Sequence, residues 1–118
     1  MIRDNRAKGV AGETMAKDFF RAQGYRIEAS NYRVRSGEVD FVASRNETLV
    51  FVEVKTRARK GEIAAVFSVD RKKRDHIRKV ALCFIREHPS FHECDLRFDV
   101  VSVILEDNSV EHFENAFV

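Results

Sequence analysis

One proline, two cysteines and no apolar run near the roughly 20 residues of a membrane span: these scarcities narrow what a chain of 118 residues can be. The missing span excludes a helical membrane protein. The first residues, MIRDNRAKGVAGE, hold no apolar core of a signal peptide, so the cytoplasm is the expected compartment. In that compartment Cys83 and Cys94 are expected to be reduced residues packed in the interior. Cys83, His88, His92 and Cys94 lie near one another, but neither a CxxC pair nor a paired-histidine helix is present. A structural role is expected there, not zinc. Repeats, low-complexity tracts and linkers are absent too, so residues 1–118 are expected to form one domain.

What is present is an ordinary globular composition, 44% apolar and 34% charged. The net charge of +2 hides a strong asymmetry. Between Lys55 and Lys79 ten Lys and Arg residues face three acids. From Val80 onward two basic residues face eight acidic ones. A local excess of this kind points to a polyanion partner on one side of the fold.

Hydrophobic periodicity predicts the elements. Gly12, Met15, Ala16 and Phe19 recur at helical spacing within residues 5–23, and Gly24 supplies the stop. Strands are expected over 25–33, 38–44 and 49–57, followed by a polar loop over 58–68. A second helix over 70–88 carries Ile77, Val80, Ala81 and Phe84 as its stripe, with Ser68 or Asp70 as its cap and Pro89 as its end. Residues 96–105 read as a central strand, apolar on both faces, and VEHFENAF holds a short last strand. This order predicts an α/β sandwich: a meander of three strands, then a crossover through the second helix.

The sharpest question lies in GEVDFVASRNETLVFVEVKTR, residues 37–57, where Glu53 and Lys55 interrupt an apolar strand. Ionised groups there cost several kcal/mol unless something offsets them. Alternation puts Glu53, Lys55 and Arg57 on one face, and Glu38, Asp40 and Val42 on one face of the strand before. Arg45–Thr48 suits a four-residue loop, and a two-residue Asn-Glu loop gives the same register but lacks the favoured glycine. In that register Asp40 faces Glu53 and Glu38 faces Lys55. Directly opposed carboxylates, roughly 4.5–5.5 Å apart at Cβ, repel. A shared Mg²⁺ or Mn²⁺ removes the conflict, with Lys55 beside it. Ion pairing of Lys55 with Glu53 and Glu38 at a sheet margin is the structural alternative.

These residues, GEVDFVA and VFVEVKTR, resemble the PD-(D/E)xK nuclease signature of restriction-endonuclease-like folds. With Gly12-Glu13, GYRIEASNYR, RFDVVSV and FENAF, the chain resembles the YraN-like family of small bacterial predicted endonucleases, similar to archaeal Holliday-junction resolvases. The resemblance implies a restriction-endonuclease-like α-β-β-β-α-β core, a mixed sheet flanked by helices, with a short extra C-terminal strand. It implies Asp40 and Glu53 as metal ligands and Lys55 as the residue orienting the attacking water. Glu13 matches a first-helix acid of the resolvases and Glu38 is a weaker accessory ligand. Val39 stands where the signature has proline.

Metal-dependent hydrolysis of phosphodiester bonds follows as the expected activity, with DNA, branched DNA included, as the implied substrate. Arg57, Arg59, Lys60, Arg71, Lys72, Lys73 and Arg74 would grip flanking phosphates without reading sequence. A homodimer is implied by analogy with the resolvases, since paired strand cleavage needs two sites. Two readings stay open beside this one: a nucleic-acid-binding module without hydrolysis, and an interaction protein whose basic surface meets an acidic partner. Asp99 and the histidines are expected to be structural.

Overall fold

The computed structural model describes residues 5–59 and 71–116. The first helix, α1, runs Asn5–Ala22. Gly12, Ala16 and Phe20, four residues apart, are its buried line. Gly24 ends it in a left-handed conformation at φ +88°, with its N–H and that of Tyr25 donating to Arg21 and Phe20 carbonyls. At Gly12 the helix backbone lies against the sheet so closely that a Cβ would sit 2.0 Å from Thr56 Oγ1.

Five strands form one sheet in the order β1-β2-β3-β4-β5. They are β1 (Arg26–Val34), β2 (Gly37–Arg45), β3 (Thr48–Arg57), β4 (Asp95–Ile104) and β5 (Ser109–Phe113). The first three form an antiparallel meander. β4 pairs parallel to β3, and β5 antiparallel to β4. A parallel neighbour needs a crossover, and α2 (Arg71–Glu87) provides it. The mixed α/β order, with its extra C-terminal strand, is the expected one.

One helix covers each face of the sheet. Ala16 and Phe20 of α1 pack on Phe41, Ala43, Val50, Val52, Val101 and Val103. Ile77, Val80, Ala81 and Phe84 of α2, the stripe read from the sequence, pack on Val39, Val42, Leu49, Phe51 and Val100. α2 stops before Pro89, which opens a 3₁₀ turn. Lys60, the capping positions Ser68 and Asp70, and most of the 58–68 loop lie outside the described residues.

The β2–β3 pairing follows the expected register from Arg45↔Thr48 to Phe41↔Val52. The loop between them is the two-residue Asn46-Glu47 turn and not the four-residue one. Asn46 at φ +55° supplies the left-handed residue that glycine usually provides. Asn108, in the β4–β5 turn, does the same at φ +55°.

Candidate active site

Strand alternation brings β3 to the site with its polarity already sorted. Leu49 and Phe51 point into the layer under α2, and Val50 and Val52 into the layer under α1. Glu53, Lys55 and Arg57 continue the Leu49–Phe51 face beyond its last apolar residue, so they emerge where α2 stops covering the sheet.

β2 behaves differently, and two expectations are corrected. Val39 and Val42 both belong to the layer under α2, whereas Phe41 belongs to the layer under α1. Strict alternation is therefore broken at Asp40. The break lies across from Asn31, which takes φ +50° between the Ser30↔Phe41 and Tyr32↔Val39 pairs of the β1–β2 ladder. The β2–β3 ladder accordingly ends at Phe41↔Val52, and Asp40 does not sit in a flat pair opposite Glu53. Its carboxylate replaces the missing rung: Val54 N–H donates to Asp40 Oδ2 at 2.6 Å. Nor does Glu38 face Lys55. It pairs with Arg33 at 2.9 Å, on the exposed hairpin of β1 and β2.

The carboxylates nonetheless converge. Burial raises the Asp40 pKa to about 6. The Val54 N–H opposes the rise, and the negative charges of Glu53, Glu13 and Glu38 add to it. Glu53 Oε1 lies 3.7 Å from Lys55 Nζ and 3.5 Å from Lys73 Nζ. Glu13 is held on the sheet-facing side of α1 by the Gly12–Thr56 approach. Its buried Oε1 makes no hydrogen bond, although Lys17 Nζ stands 3.3 Å away. A cavity of about 430 Å³ opens between Gly37 and Glu38 of β2, Glu53 of β3, and Lys72, Lys73 and His76 of α2.

These donors suit a hard divalent cation. They are carboxylate oxygens, and burial, with the neighbouring acids adding to it, already favours a proton on Asp40. Among the described residues no three of His, Cys, Asp and Glu form a closed metal cage. Asp40 and Glu53 are the residues that would hold the cation.

The basic candidates divide. Arg59, Arg71 and Lys72 are exposed. Arg57 Nη2 donates to the buried Ser102 hydroxyl at 2.9 Å, which ties it to the sheet. Lys73 Nζ lies 3.5 Å from Glu53 Oε1, its side chain still 40% exposed. The sequence carried a signal for this: Lys73 stands four residues before Ile77, so the buried stripe of α2, extended back one turn, passes through it. His76, four before Val80, lines the cavity for the same reason.

Asp99 and His112 sit in a hydrogen-bonded cluster apart from Asp40 and Glu53. Asp99 is 0% exposed and receives Arg97 at 2.8 Å, His112 Nε2 at 2.6 Å and the Asn115 backbone N–H at 2.9 Å. Arg97 also donates to the Tyr25 hydroxyl. The cluster ties β4, β5 and the start of β1 together on the α1 side.

The profile of Uncharacterised protein family UPF0102 matches residues 12–103. A UPF0102 protein of Trichlorobacter lovleyi is 44% identical over 117 residues, covering 96% of this chain and 91% of its own. Those of Syntrophomonas wolfei and Porphyromonas gingivalis are 36% and 42% identical, covering 96% and 97% of this chain and 99% and 86% of their own. Among solved structures, Pyrococcus furiosus SfsA in complex with Ca²⁺ aligns with 96% of this chain and 64% of that one. The identity is 18% and the TM-score 0.39, a likeness too loose to bear on function.

Proposed function

The chain belongs to the UPF0102 family, and from that starting point we propose that it is a metal-dependent nuclease hydrolysing phosphodiester bonds, with DNA as the substrate. The observation that carries the reading is the crowding at Asp40: a half-buried carboxylate pushed to about pH 6 by burial and by three further acids, beside the Glu53–Lys55 pair.

A divalent cation between Asp40 and Glu53 would polarise a phosphoryl oxygen and make water a stronger nucleophile. The remaining work falls to the chain. The Val54 N–H fixes Asp40 in orientation. Lys55 places a positive charge beside the phosphoryl oxygens as negative charge develops on them. Arg59, Arg71 and Lys72 hold neighbouring phosphates. The test is cleavage of a panel of single strands, duplexes, flaps, four-way junctions and RNA, with and without Mn²⁺. Cleavage that depends on Mn²⁺ is expected, whereas tight binding with no product would leave only the non-catalytic module.

Lys55 separates catalysis from binding. Lys55→Met keeps much of the stem's packing and removes the charge. It is expected to lower the cleavage rate by on the order of 10²-fold or more, the range for a lost preorganised charge stabiliser, while affinity weakens modestly. Wild-type cleavage by this variant would remove Lys55 from the chemistry. If instead the variant unfolds, the Glu53–Lys55 pair is structural.

The outer cations act through salt. Replacing Arg71 and Lys72 by Ala is expected to weaken DNA binding and to reduce the slope of log K against log salt by at most about 0.9 per lost contact. Affinity measured from 50 to 200 mM salt checks this, and an unchanged slope would move the binding surface elsewhere.

A further inference from the structure

We propose that the outer face of α2, out to Lys79 and Arg86, anchors the phosphates of a DNA duplex that leaves the site along this helix. The inference rests on nucleic acid as the partner in the reading above, and not on its cleavage. The buried stripe of Ile77, Val80, Ala81 and Phe84 fixes which way the rest of α2 points. On the side away from that stripe stand Arg71, Lys72, Arg78, Lys79 and Arg86, all exposed. Lys72, Lys79 and Arg86 recur every seven residues, so they form one row along the helix. α2 contains two acids. Asp75 shares the outer face and pairs with Arg78 at 3.4 Å, whereas Glu87 accepts the Tyr32 hydroxyl on the flank towards β1. Five bases against one acid leave the face strongly positive.

The dimensions and the chemistry of this face select the partner. From Lys72 to Arg86 the row is about 21 Å long, the rise of about six base pairs of duplex. A small anion would engage one end of it only. Leu82, 60% exposed, is the single large apolar side chain on the face. The face therefore lacks the apolar centre of a protein interface and the apolar side of a helix that lies on a membrane. A polar, strongly basic surface is what duplex DNA meets. The row also begins at the site. β3 and β4 are parallel, so the crossover α2 starts by the end of β3 and returns to the start of β4. Lys72 lines the cavity that reaches Glu53, and Arg86 lies about four turns further on. Contacts along the row fix the direction of the duplex without reading its sequence.

The test is binding of a duplex of about 20 base pairs in EDTA, where turnover plays no part. The double variant Lys79→Ala/Arg86→Ala is expected to bind at least about tenfold more weakly at 50 mM salt. Its slope of log K against log salt is expected to fall by up to about 1.8, for two lost phosphate contacts. Lys79→Gln/Arg86→Gln, which keeps longer side chains, is expected to do the same. Arg21→Ala/Arg26→Ala removes equal charge from exposed positions at the end of α1 and the start of β1, and is expected to stay within about twofold of the wild type. Wild-type affinity and slope in the glutamine variant overturn the anchor and leave the nuclease reading standing. Equal losses in the Arg21/Arg26 variant mean that net charge alone acts, and overturn it too. A wild type that binds single strands but no duplex does the same. Duplex binding that depends on Lys79 and Arg86, in a protein that cleaves no member of the panel with Mn²⁺, sustains the anchor and removes only the hydrolysis.

Discussion

Asp40→Asn is expected to stabilise the metal-free protein at pH 8 while abolishing its cleavage. The two effects have one cause. Asp40 has a folded pKa of about 6, above the usual carboxylate value. The folded state therefore binds the proton more tightly than the unfolded chain does. Between about pH 4 and pH 6 stability falls as pH rises, and above pH 6 the full penalty applies. Two units correspond to about 2–3 kcal/mol. Asparagine carries no charge and can still accept the Val54 N–H. The variant should melt roughly 5–10 °C higher at pH 8, and the difference should vanish near pH 4. Mg²⁺ should raise the melting temperature of the wild type by mass action and leave the variant almost unmoved. Cleavage should fall by at least about 10²–10³-fold. A variant that is less stable at pH 8, or one that cleaves normally, would contradict the account of this residue.

The opposite outcome is expected at Asp99, the other acid in an apolar strand. Burial alone would raise its pKa. Hydrogen bonds from His112, Arg97 and the Asn115 N–H outweigh burial, and the pKa is lowered. Its stabilisation is therefore present above the unfolded pKa, near 4, and is lost as pH falls through the folded value below that. Asp99→Ala leaves His112 without its carboxylate and Arg97 with only the exposed Glu114, 3.9 Å away. Breaking a buried pair from one side costs about 3–5 kcal/mol, a large part of the stability of a chain this size. Urea midpoints at pH 7 should show that loss. At pH 3 the wild type should have lost part of its lead over the variant. Equal midpoints at pH 7 would mean that the cluster contributes nothing net. The two acids thus differ in sign: at Asp99 three donors outweigh burial, whereas at Asp40 burial outweighs the single Val54 donor and neighbouring acids add to it.

How much of this could be read without coordinates varied with the kind of signal. The α2 stripe was legible because Ile77, Val80, Ala81 and Phe84 obey a single period. The β2–β3 register was legible because a short turn leaves few alternatives, and the pairing holds for five consecutive positions. It failed at Asp40 because the break depends on Asn31, a residue of another strand whose left-handed backbone no local pattern announces. The grouping of Asp40, Glu53 and Lys55 survived that failure: the strands separate, but the carboxylate turns into the gap. Glu38 was misplaced because the strict period-2 rule was carried through the break. Lys73 was counted with its charged neighbours, since composition records that a helix is basic and not which of its lysines reaches a carboxylate of the sheet.

The approach of α1 to β3 at Gly12 gives this polar site a mechanical dependence on an apolar contact. Glycine inside a helix is entropically unfavourable, by roughly 0.5–1 kcal/mol relative to alanine. Here its bare backbone lets the helix rest on the Thr56 side chain, where a methyl group would collide at 2.0 Å. Glu13 is the next residue, and its distance to Asp40 is set by how far the helix stands off the sheet. Steric thickness at one uncharged position thus fixes the strength of an electrostatic coupling at another. A gauge of this sort works without touching any charge: the helix is a rigid arm, Gly12 is its bearing, and the field at Asp40 is what the bearing adjusts.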